Sequence, residues 1–483
     1  MVPRREAAGA ASAADPWAPL GRGSDADAER TLEILRTPLE RLPDPLPLSP
    51  IPGPFHAEVS PPGSKSITNR LLVLASLAEG ESHLRRPLIE ADDARVMMRG
   101  LAQLGADILP AEGPRAETAL RVIGVGGRPL PGGSLQLENS GTSVRFLAAA
   151  AALASGPVTI DGSTRMRERP IDDLTAMLRS LRVRVEDLGQ RGFPPLRIHG
   201  VPDVPLRGGK VTVTNPKSSQ FVTALMLIAP WTTDGVEITI TGEVTSKSYI
   251  RMTAALLRRL GAEITVSADC RSITVGPKAI AAFEMPVEPD ASGATYFWAA
   301  GAVCPQSICG VPGVSPTSLQ GDARFVNTLA AMGAMPHALP SGISIEAPED
   351  GETLRGIGAD MALMPDAAMT LAAVACFART PSVMAGVQTL RVKECDRIAA
   401  TQAELTKVGA VVDATDRLMR ITPPVKWTDD PVVFETYDDH RMAMSLALIG
   451  LRRPNVLIAN PQCVAKTYPT FWSDLAALYE AAL

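Results

Sequence analysis

The stretch LRRLGAEITV, residues 257–266, contains the pattern on which the fold prediction rests. An amphipathic helix ends at Leu-Gly, and glycine readily adopts the left-handed backbone that commonly closes a helix. The next residues, AEITV, alternate between apolar and polar as a half-buried strand does. The stretch therefore predicts a helix followed by a strand, as in an α/β protein.

The same pattern recurs along the chain at nearly constant spacing. The glycine position, occupied by Arg182 in one copy, falls at 105, 182, 261, 333 and 409, so the spacings are 77, 79, 72 and 76 residues. The other copies are LAQLGADIL (101–109), LRSLRVRVE (178–186), LAAMGAMPHA (329–338) and LTKVGAVVDA (405–414). A final helix, FWSDLAALYEAAL, predicts a sixth unit whose strands come from elsewhere in the chain.

Six units, three to a lobe, predict an α/β protein with two similar lobes. The clearest change of lobe lies at MPVEPD, residues 285–290. We expect a first lobe at residues 64–287 and a second lobe made of residues 51–63 and 288–483. Residues 1–50, with eight prolines and many charges, are expected to be a flexible extension, in which residues 25–42 suit a short helix. The cleft between the lobes is the expected active site.

Composition excludes several classes of function. The net charge of −5 argues against a nucleic-acid-binding surface, and no apolar run is long enough to span a membrane. No secretory h-region is present, and the six cysteines form no C-x-x-C pair. We expect a monomeric cytoplasmic protein with free thiols that binds neither nucleic acid nor membrane.

The motif PPGSKSITNR (61–70) resembles a phosphate-binding loop but is not a P-loop, because Ser64 precedes the lysine and Val59 occupies the earlier glycine position. Lys65, Ser66 and Arg70 would stand at the start of a helix, where an anion is favoured. A solvated basic helix start fits this motif equally well.

Four more polar motifs follow in the first lobe. ENSGTSVRF (138–146) allows close backbone approach at Gly141, and RMRERPIDDL (165–174) contains Arg169, although alone it would be a surface loop. Neutral donors suited to phosphate or hydroxyl groups occur in PKSSQF (216–221) and TSKSYI (245–250), namely Ser218, Ser219, Gln220, Ser246 and Tyr249.

Three second-lobe motifs combine cations with carboxylates. PDAAMT (365–370) places Asp366 before an apolar helix, where a helix cap is the alternative role. RVKECDR (391–397) contains Lys393, Glu394 and Arg397, and one helical turn would separate the two cations. YDDHRMAM (437–444) adds Arg441 and His440, which we interpret as structural.

The motif AKTYPTF (465–471) adds Lys466, so both lobes contribute cations in an acidic protein. The sequence shows no metal-ligand spacing, no G-x-S-x-G elbow and no dinucleotide fingerprint. A cation-rich cleft of this kind predicts two multiply charged small substrates, at least one phosphorylated, with neither metal nor cofactor.

Eight of these motifs occur in the order found in the EPSP synthases of the enolpyruvyl transferase family, and the resemblance runs from about residue 57 to the C-terminus. The resemblance implies an inside-out α/β barrel in each lobe, built from three βαββαβ-type repeats. It also implies addition–elimination chemistry that transfers the enolpyruvyl group of phosphoenolpyruvate to the 5-hydroxyl of shikimate 3-phosphate. The product, 5-enolpyruvylshikimate 3-phosphate, would lead to chorismate and aromatic amino acids.

The resemblance also implies a role for each motif residue. Shikimate 3-phosphate would be bound by Lys65, Ser66, Arg70, Ser218, Ser219, Gln220, Ser246 and Tyr249. Phosphoenolpyruvate would be bound by Lys65, Gly141, Arg169, Arg397, Arg441 and Lys466. Asp366, with Lys393 beside it, would face the shikimate hydroxyls, and Glu394 would transfer the proton at C3. The implied catalytic residues are Asp366, Glu394 and Lys65.

The sequence departs from the family pattern at three positions, and two alternative functions remain to be tested. Thr68 replaces a serine, Phe146 stands where proline is common, and Thr389 stands where an asparagine often contacts the shikimate phosphate. The sister UDP-N-acetylglucosamine enolpyruvyl transferase usually has an A-K-N start and a first-lobe cysteine, whereas this chain has S-K-S and no cysteine before Cys270. A non-catalytic sugar-phosphate sensor would be expected to lose Asp366, Glu394 or Lys466.

Overall fold

The structure, a computed structural model, describes residues 23–110, 119–200, 205–340, 342–349 and 353–483. The α-helices in these ranges are α1 (Asp25–Leu35), α2 (Lys65–Leu77), α3 (Asp92–Gln103), α4 (Gly141–Ala151), α5 (Asp172–Ser180), α6 (Ser219–Ile228), α7 (Lys247–Arg259), α8 (Ala291–Val303), α9 (Phe325–Met332), α10 (Ala368–Ala375), α11 (Arg397–Thr406), α12 (His440–Gly450) and α13 (Phe471–Ala482). Short 3₁₀ helices lie at Leu39–Arg41, Met166–Glu168, Ala229–Trp231, Gly321–Arg324, Pro365–Ala367, Gln388–Val392 and Pro461–Lys466.

The strands are short and evenly distributed along the described ranges. They are β1 (Leu46–Leu48), β2 (His56–Glu58), β3 (Glu79–Arg85), β4 (Asp107–Pro110), β5 (Ala119–Val125), β6 (Ser134–Gln136), β7 (Pro157–Asp161), β8 (Arg184–Asp187), β9 (Leu196–His199), β10 (Gly209–Thr214), β11 (Val236–Thr241), β12 (Ile264–Val266), β13 (Ser272–Val275), β14 (Glu284–Pro286), β15 (Ile308–Pro312), β16 (Met335–Leu339), β17 (Gly342–Glu346), β18 (Gly358–Asp360), β19 (Ser382–Ala385), β20 (Val411–Ala414), β21 (Leu418–Thr422), β22 (Val432–Phe434) and β23 (Val456–Ile458).

Five sheets share one four-stranded topology. In the sheet β6-β7-β9-β8, the parallel strands β6 and β7 are joined through α4, and β8 and β9 form an antiparallel pair beside β7. The same order occurs in β14-β3-β5-β4, β10-β11-β13-β12, β2-β15-β17-β16 and β18-β19-β21-β20. Each unit therefore contains the predicted four strands and two helices. Their arrangement is βαβαββ rather than the expected βαββαβ, because the two adjacent strands form the antiparallel pair at the end of the unit, and in the first unit the leading strand is β14, from the end of the lobe. The sixth sheet, β1-β23-β22, has three strands.

One helix of each unit lies in the interior, and the sheets lie outside it. Helices α2, α4 and α6 pack against one another in one apolar core, and α8, α10 and α12 do so in a second core. Helix α4 is buried along its whole length, because its sequence, GTSVRFLAAAA, offers small and apolar side chains on every face. We call the parts of the chain around these cores the first lobe and the second lobe; the exact boundaries stay a prediction.

The helix endings that predicted the repeat have the expected left-handed backbone. The φ angles are 100° at Gly105, 84° at Gly261, 113° at Gly333 and 87° at Gly409. Arg182, which replaces glycine in the degenerate copy, also has a positive φ, 66°. A non-glycine residue is strained there, so the repeat geometry imposes this turn even where the sequence disfavours it.

The expectation of a flexible extension at residues 1–50 is wrong for the described part, residues 23–50. Helix α1 packs on α13, and β1 pairs with β23 to complete the sixth sheet. Apolar side chains explain why this segment is folded, since Leu35 and Leu46 are fully buried in the second core. Residues 1–22 lie outside the described residues. The prediction that the strands of the last unit come from elsewhere in the chain is correct for β1 only, since β22 and β23 lie between α11 and α13.

The chain crosses between the lobes at two adjacent places. The amide of Ser64 donates to the carbonyl of Glu288 (2.8 Å), and the amide of Asp290 donates to the carbonyl of Pro62 (2.8 Å). Gly63 forms an antiparallel bridge to Pro289, and a side chain on this glycine would lie 2.2 Å from the carbonyl oxygen of Arg86. The two crossings are therefore hydrogen-bonded to each other.

Across the described ranges, no helix is both long enough and apolar enough to cross a membrane.

Candidate active site

A cleft lies where the two lobes meet. The first turns of α2, α4, α6 and α12 line it, together with the 3₁₀ turn that precedes α10. Helix N-termini present unpaired amides and a positive dipole end, so their convergence creates a site for anions. Every predicted site residue except Lys466 lines this cleft.

Asp366 is the point at which three second-lobe cations meet. Its Oδ1 accepts from Lys393 Nζ (3.3 Å) and Arg397 Nη1 (3.2 Å), and its Oδ2 accepts from Arg441 Nη2 (3.0 Å). The Tyr249 hydroxyl of the first lobe also donates to Oδ2 (3.2 Å). Burial alone would raise the pKa of Asp366, but these cations hold it well below its ordinary range. Asp366 is therefore a charged hydrogen-bond acceptor.

Two predictions about these residues need correction. Asp366 lies inside the 3₁₀ turn Pro365–Ala367 and makes no helix-cap hydrogen bond, so the capping alternative is wrong. Lys393 precedes α11, which begins at Arg397 with Asp396 as its cap. The two cations meet at one carboxylate because a bend in the chain brings them together, rather than through one helical turn.

Glu394 and Arg397 form a buried pair that continues to Asp439. The guanidinium of Arg397, 1% exposed, donates to Glu394 Oε2 (2.9 Å) and bidentately to Asp439, from Nε to Oδ2 (2.7 Å) and from Nη2 to Oδ1 (3.1 Å). Burial opposes ionisation of Glu394, but Arg397, Arg169 and Lys466 lower its pKa well below the ordinary value. Asp439 lies in a motif used for prediction, yet its role as the partner of Arg397 was missed.

Arg70, in the first-lobe wall of the cleft, is held by neutral groups. Arg70 is buried and donates to Thr253 Oγ1 (2.8 Å) and the carbonyl of Ser66 (2.7 Å), and its guanidinium lies over the ring of Phe146 (5.4 Å). Burial lowers the pKa of Arg70 to about 10. Its positive charge is therefore directed to the cleft rather than to a neighbouring carboxylate.

The neutral donors of the first lobe also lie at helix starts. Ser218 caps α6 by accepting from the amide of Gln220 (3.2 Å), and Ser219 begins that helix. Ser246 has a left-handed backbone (φ 49°) immediately before α7, which also carries Tyr249. These side chains line the cleft beside the first turn of α6.

Gly141 makes room for two guanidinium groups. A side chain here would lie 2.6 Å from Arg145 Nη1 and 2.7 Å from Arg169 Nη2. Arg169 donates to Asn139 Oδ1 (3.1 Å). Within the described ranges, Arg145 donates only to the carbonyls of Gly141 (2.9 Å) and Pro170 (3.1 Å). Burial lowers the pKa of Arg145 to about 9, and the nearby charge of Arg169 adds to the effect. The sequence motif contained Arg145, but nothing in it distinguished this residue from a surface arginine.

Asp93, on the first turn of α3, joins two predicted cations across the lobes. Its Oδ2 accepts from Lys65 Nζ (3.0 Å) and its Oδ1 from Lys466 Nζ (3.0 Å). Lys466 also donates to the carbonyl of Asn139 (2.9 Å), which places it beside the cleft. No sequence pattern identified Asp93, because two acidic residues in a first helical turn are common.

The three residues that depart from the family pattern, and His440, are all buried or line the cleft. Thr68 is buried, and its hydroxyl accepts from the amide of Leu88 (3.0 Å). Phe146 is buried under Arg70, and Thr389 lines the cleft although its buried hydroxyl has no partner among the described residues. His440 is buried at the start of α12, and burial lowers its pKa well below the ordinary value, so it is neutral.

We expect activity to survive exhaustive chelation and thiol reduction. In the described ranges, no group of three His, Cys, Asp or Glu side chains is arranged to hold a metal ion. All six cysteines are free, and burial raises the pKa of Cys395, the cysteine nearest the site motifs. A rate measured in EDTA and reductant should equal the untreated rate. Loss of activity that a divalent ion restores would contradict this prediction.

Comparison with known proteins identifies the family. Residues 50–475 match the family described as EPSP synthase (3-phosphoshikimate 1-carboxyvinyltransferase). A protein of that name from Ralstonia pickettii (strain 12J) is 42% identical over 425 residues, covering 86% of this chain and 95% of its own. One from Methanoculleus marisnigri is 38% identical over 428 residues, covering 88% and 97%.

A solved structure of EPSP synthase from Acinetobacter baumannii is also similar, with a TM-score of 0.70 and 26% identity, covering 89% of this chain and 98% of that one. The predicted family, fold class and transferase activity are confirmed by these matches. The chain belongs to the EPSP synthase family, the 3-phosphoshikimate 1-carboxyvinyltransferases.

Proposed function

We propose that the cleft transfers the enolpyruvyl group of phosphoenolpyruvate to the 5-hydroxyl of shikimate 3-phosphate, releasing phosphate, with the residues predicted from the sequence. The observation that supports this most is the meeting of Lys393, Arg397, Arg441 and the Tyr249 hydroxyl at Asp366. That arrangement provides a hydroxyl-orienting carboxylate inside a strongly cationic cleft.

Shikimate 3-phosphate binds chiefly to the first lobe in this proposal. Its phosphate would lie at the start of α6, where the amides, Ser218, Ser219 and Gln220 present donors. Ser246, Tyr249, Lys65, Ser66 and Arg70 would complete the contacts. The ring hydroxyls would then face Asp366, beside Lys393.

Phosphoenolpyruvate binds between the two lobes. Gly141 and Arg169 contribute from the first lobe, with Lys65, while Arg397, Arg441 and Lys466 contribute from the second. A compact trianionic substrate requires several preorganised cations, and bidentate arginines suit its carboxylate and phosphate groups.

The reaction proceeds by addition and then elimination. The 5-hydroxyl oxygen attacks C2 while its proton passes to Asp366, and C3 takes a proton from Glu394 in its protonated form. Elimination returns one C3 proton to Glu394, and the C2–O bond to phosphate breaks as the proton on Asp366 passes to the leaving phosphate. The tetrahedral intermediate keeps the negative charge of both substrates, so the surrounding cations stabilise it.

The direct test is a coupled assay for phosphate release. Phosphate should appear only when phosphoenolpyruvate and shikimate 3-phosphate are both present. UDP-N-acetylglucosamine in place of shikimate 3-phosphate should give no release. Phosphate release with phosphoenolpyruvate and the nucleotide sugar, but not with phosphoenolpyruvate and shikimate 3-phosphate, would establish the sister transferase activity instead. Tight substrate binding without any release would indicate a sensor.

We also propose that the chain acts as a monomer in the cytoplasm. The site residues proposed above all come from one copy of the chain, and six free thiols suit a reducing compartment. Sedimentation at the assay concentration tests the first point. A dimer whose dissociation abolishes activity would contradict it.

Shikimate 3-phosphate should draw the lobes together. Contacts already join them around the cleft, since Arg165 of the first lobe donates to the carbonyls of Lys393 (3.2 Å) and Glu394 (3.1 Å). Facing cations repel one another, and a bound anion replaces that repulsion with shared attraction. Small-angle scattering should therefore show a smaller radius of gyration with saturating ligand, with movement at the crossings near Pro61–Gly63 and Met285–Pro289.

Unphosphorylated shikimate is the matched control for this scattering experiment, and it should cause a smaller change. An unchanged radius of gyration with shikimate 3-phosphate, in protein shown to be active, would rule out closure driven by this ligand.

A further inference from the structure

The N-terminal segment, residues 23–49, precedes the part of the chain that matches the family. It nevertheless lies against residues Asn460–Lys466, which we call the lysine turn because it ends at the proposed phosphoenolpyruvate ligand. The 3₁₀ turn Leu39–Arg41 contacts the 3₁₀ helix within the lysine turn. A part of this chain beyond the family match therefore touches the backbone that supports Lys466.

Two hydrogen bonds attach the segment to the start of the lysine turn. The amide of Asn460 donates to Asp44 Oδ1 (2.8 Å), and Gln462 Nε2 donates to the carbonyl of Leu42 (3.3 Å). Asn460 has a left-handed backbone (φ 46°) and directly precedes the 3₁₀ helix Pro461–Lys466. A non-glycine residue in this conformation needs local partners to hold it, and the Asp44 carboxylate is one.

At the far end of the lysine turn, the ammonium group of Lys466 has to be placed accurately to contact phosphoenolpyruvate. Lys466 Nζ lies 3.0 Å from Asp93 and 2.9 Å from the carbonyl of Asn139, both in the first lobe. A shift at Asn460 would pass along six residues of 3₁₀ helix to this ammonium group. Displacement of a catalytic-site group by about 1 Å is enough to lower activity substantially.

Other parts of the N-terminal segment hold it to the second lobe without touching the lysine turn. Strand β1 pairs with β23, and Arg36 forms an ion pair with Glu480 on α13. The hydroxyl of Tyr479 donates to the carbonyl of Ser49 (2.5 Å), and Thr31 and Ser49 share a hydrogen bond (2.7 Å). Asp44 itself is exposed and buries little apolar surface. Stability and positioning are therefore separable by mutation.

We propose that Asp44 is a positioning residue for the transfer reaction, because its carboxylate fixes the start of the lysine turn and thereby the place of Lys466. The inference rests on the proposed function of Lys466 as a phosphoenolpyruvate ligand. It predicts that a segment beyond the family match affects the binding of phosphoenolpyruvate, through Lys466, but not the binding of shikimate 3-phosphate.

The experiment compares Asp44→Ala, Asp44→Asn, Arg36→Ala and Lys466→Met by steady-state kinetics and thermal unfolding. Asp44→Ala should raise the KM for phosphoenolpyruvate about threefold to tenfold, as expected for the loss of one hydrogen bond. The KM for shikimate 3-phosphate and the Tm should stay close to those of the unmodified protein. Asp44→Asn keeps the Oδ1 acceptor and should restore the original KM, and Arg36→Ala should leave both KM values unchanged.

Each contrary result has a distinct meaning. An unchanged phosphoenolpyruvate KM in Asp44→Ala would overturn the inference, as would both KM values rising together with a fall in Tm. An Asp44→Asn variant as impaired as Asp44→Ala would also overturn it. Lys466→Met tests the premise separately, since a normal phosphoenolpyruvate KM in that variant would remove Lys466 from the proposed site whatever the Asp44 variants show.

Discussion

Glu394→Gln is expected to bind both substrates almost normally and to lose about 100-fold or more in turnover, the usual scale for a general acid–base residue. The amide keeps the size of the side chain and an oxygen that can accept from Arg397 Nη2, which lies 2.9 Å from Glu394 in the native structure. The amide cannot donate the proton that C3 gains during addition, and it cannot accept the proton that C3 loses during elimination.

The low pKa of Glu394 strengthens this prediction. In the structure, Arg397, Arg169 and Lys466 outweigh burial and keep the carboxylate ionised. Two anionic substrates would offset those cations, and added negative charge raises the pKa of a nearby carboxylate. Glu394 would therefore gain its proton only once the site is filled, which limits proton donation to the complex in which it is needed.

The measurements are single-turnover rates and calorimetric binding constants for both substrates. Glu168→Gln is the matched control, because Glu168 is an exposed acid in the neighbouring first-lobe loop, paired with Arg165 (2.8 Å). Its turnover should be unchanged. Normal turnover in Glu394→Gln would remove this residue from proton transfer, and a loss confined to binding would reassign it as a ligand-orienting group.

Asp439→Ala should lower the free energy of unfolding of the second lobe by about 3–5 kcal/mol, the range for removing one partner of a buried ion pair. Arg397 is 1% exposed and Asp439 is fully buried, so the guanidinium would lose its bidentate partner without gaining water. The same change removes the cap of α12, where Asp439 Oδ1 accepts from the amide of Arg441 (2.9 Å).

Activity should fall with stability in Asp439→Ala, because Arg397 and Arg441 both depend on this carboxylate for their positions. Urea unfolding followed by tryptophan fluorescence is suitable, since Trp298, Trp427 and Trp472 all lie in the second lobe. Asp413→Ala, which removes an exposed carboxylate from β20, should change stability little. A loss below about 1 kcal/mol in Asp439→Ala would show that Arg397 finds another partner.

The repeat was predictable because its decisive feature is local. A helix that ends on a left-handed residue needs only its neighbours in sequence, so Gly105, Gly261, Gly333 and Gly409 mark the units directly. The cation-rich cleft was predictable for a similar reason. Most of the motifs lie at helix starts, and the fold brings the starts of α2, α4, α6 and α12 together.

The missed residues depend on contacts between distant parts of the chain. Asp93 lies 373 positions before Lys466, and nothing in an Asp-Asp pair at a helix start shows which cation it meets. Residues 23–50 have the composition of a linker, yet alternate leucines in β1 complete a sheet with β23. Propensity and composition describe a segment by itself, whereas tertiary packing decides these cases.

The pairing of β1 with β23 has a consequence for biosynthesis. All three sheets of the first lobe lie between Glu79 and Pro286, so that lobe can be completed while the ribosome is still translating the second. Strand β1 has no partner until β23 emerges, roughly 400 residues later. At about 5–20 residues per second, the N-terminal segment waits about 20–80 s with its leucines uncovered. Among the described residues, 23–49 are therefore exposed to chaperones and proteases for the longest time, because they are made first and pair with a strand made near the end.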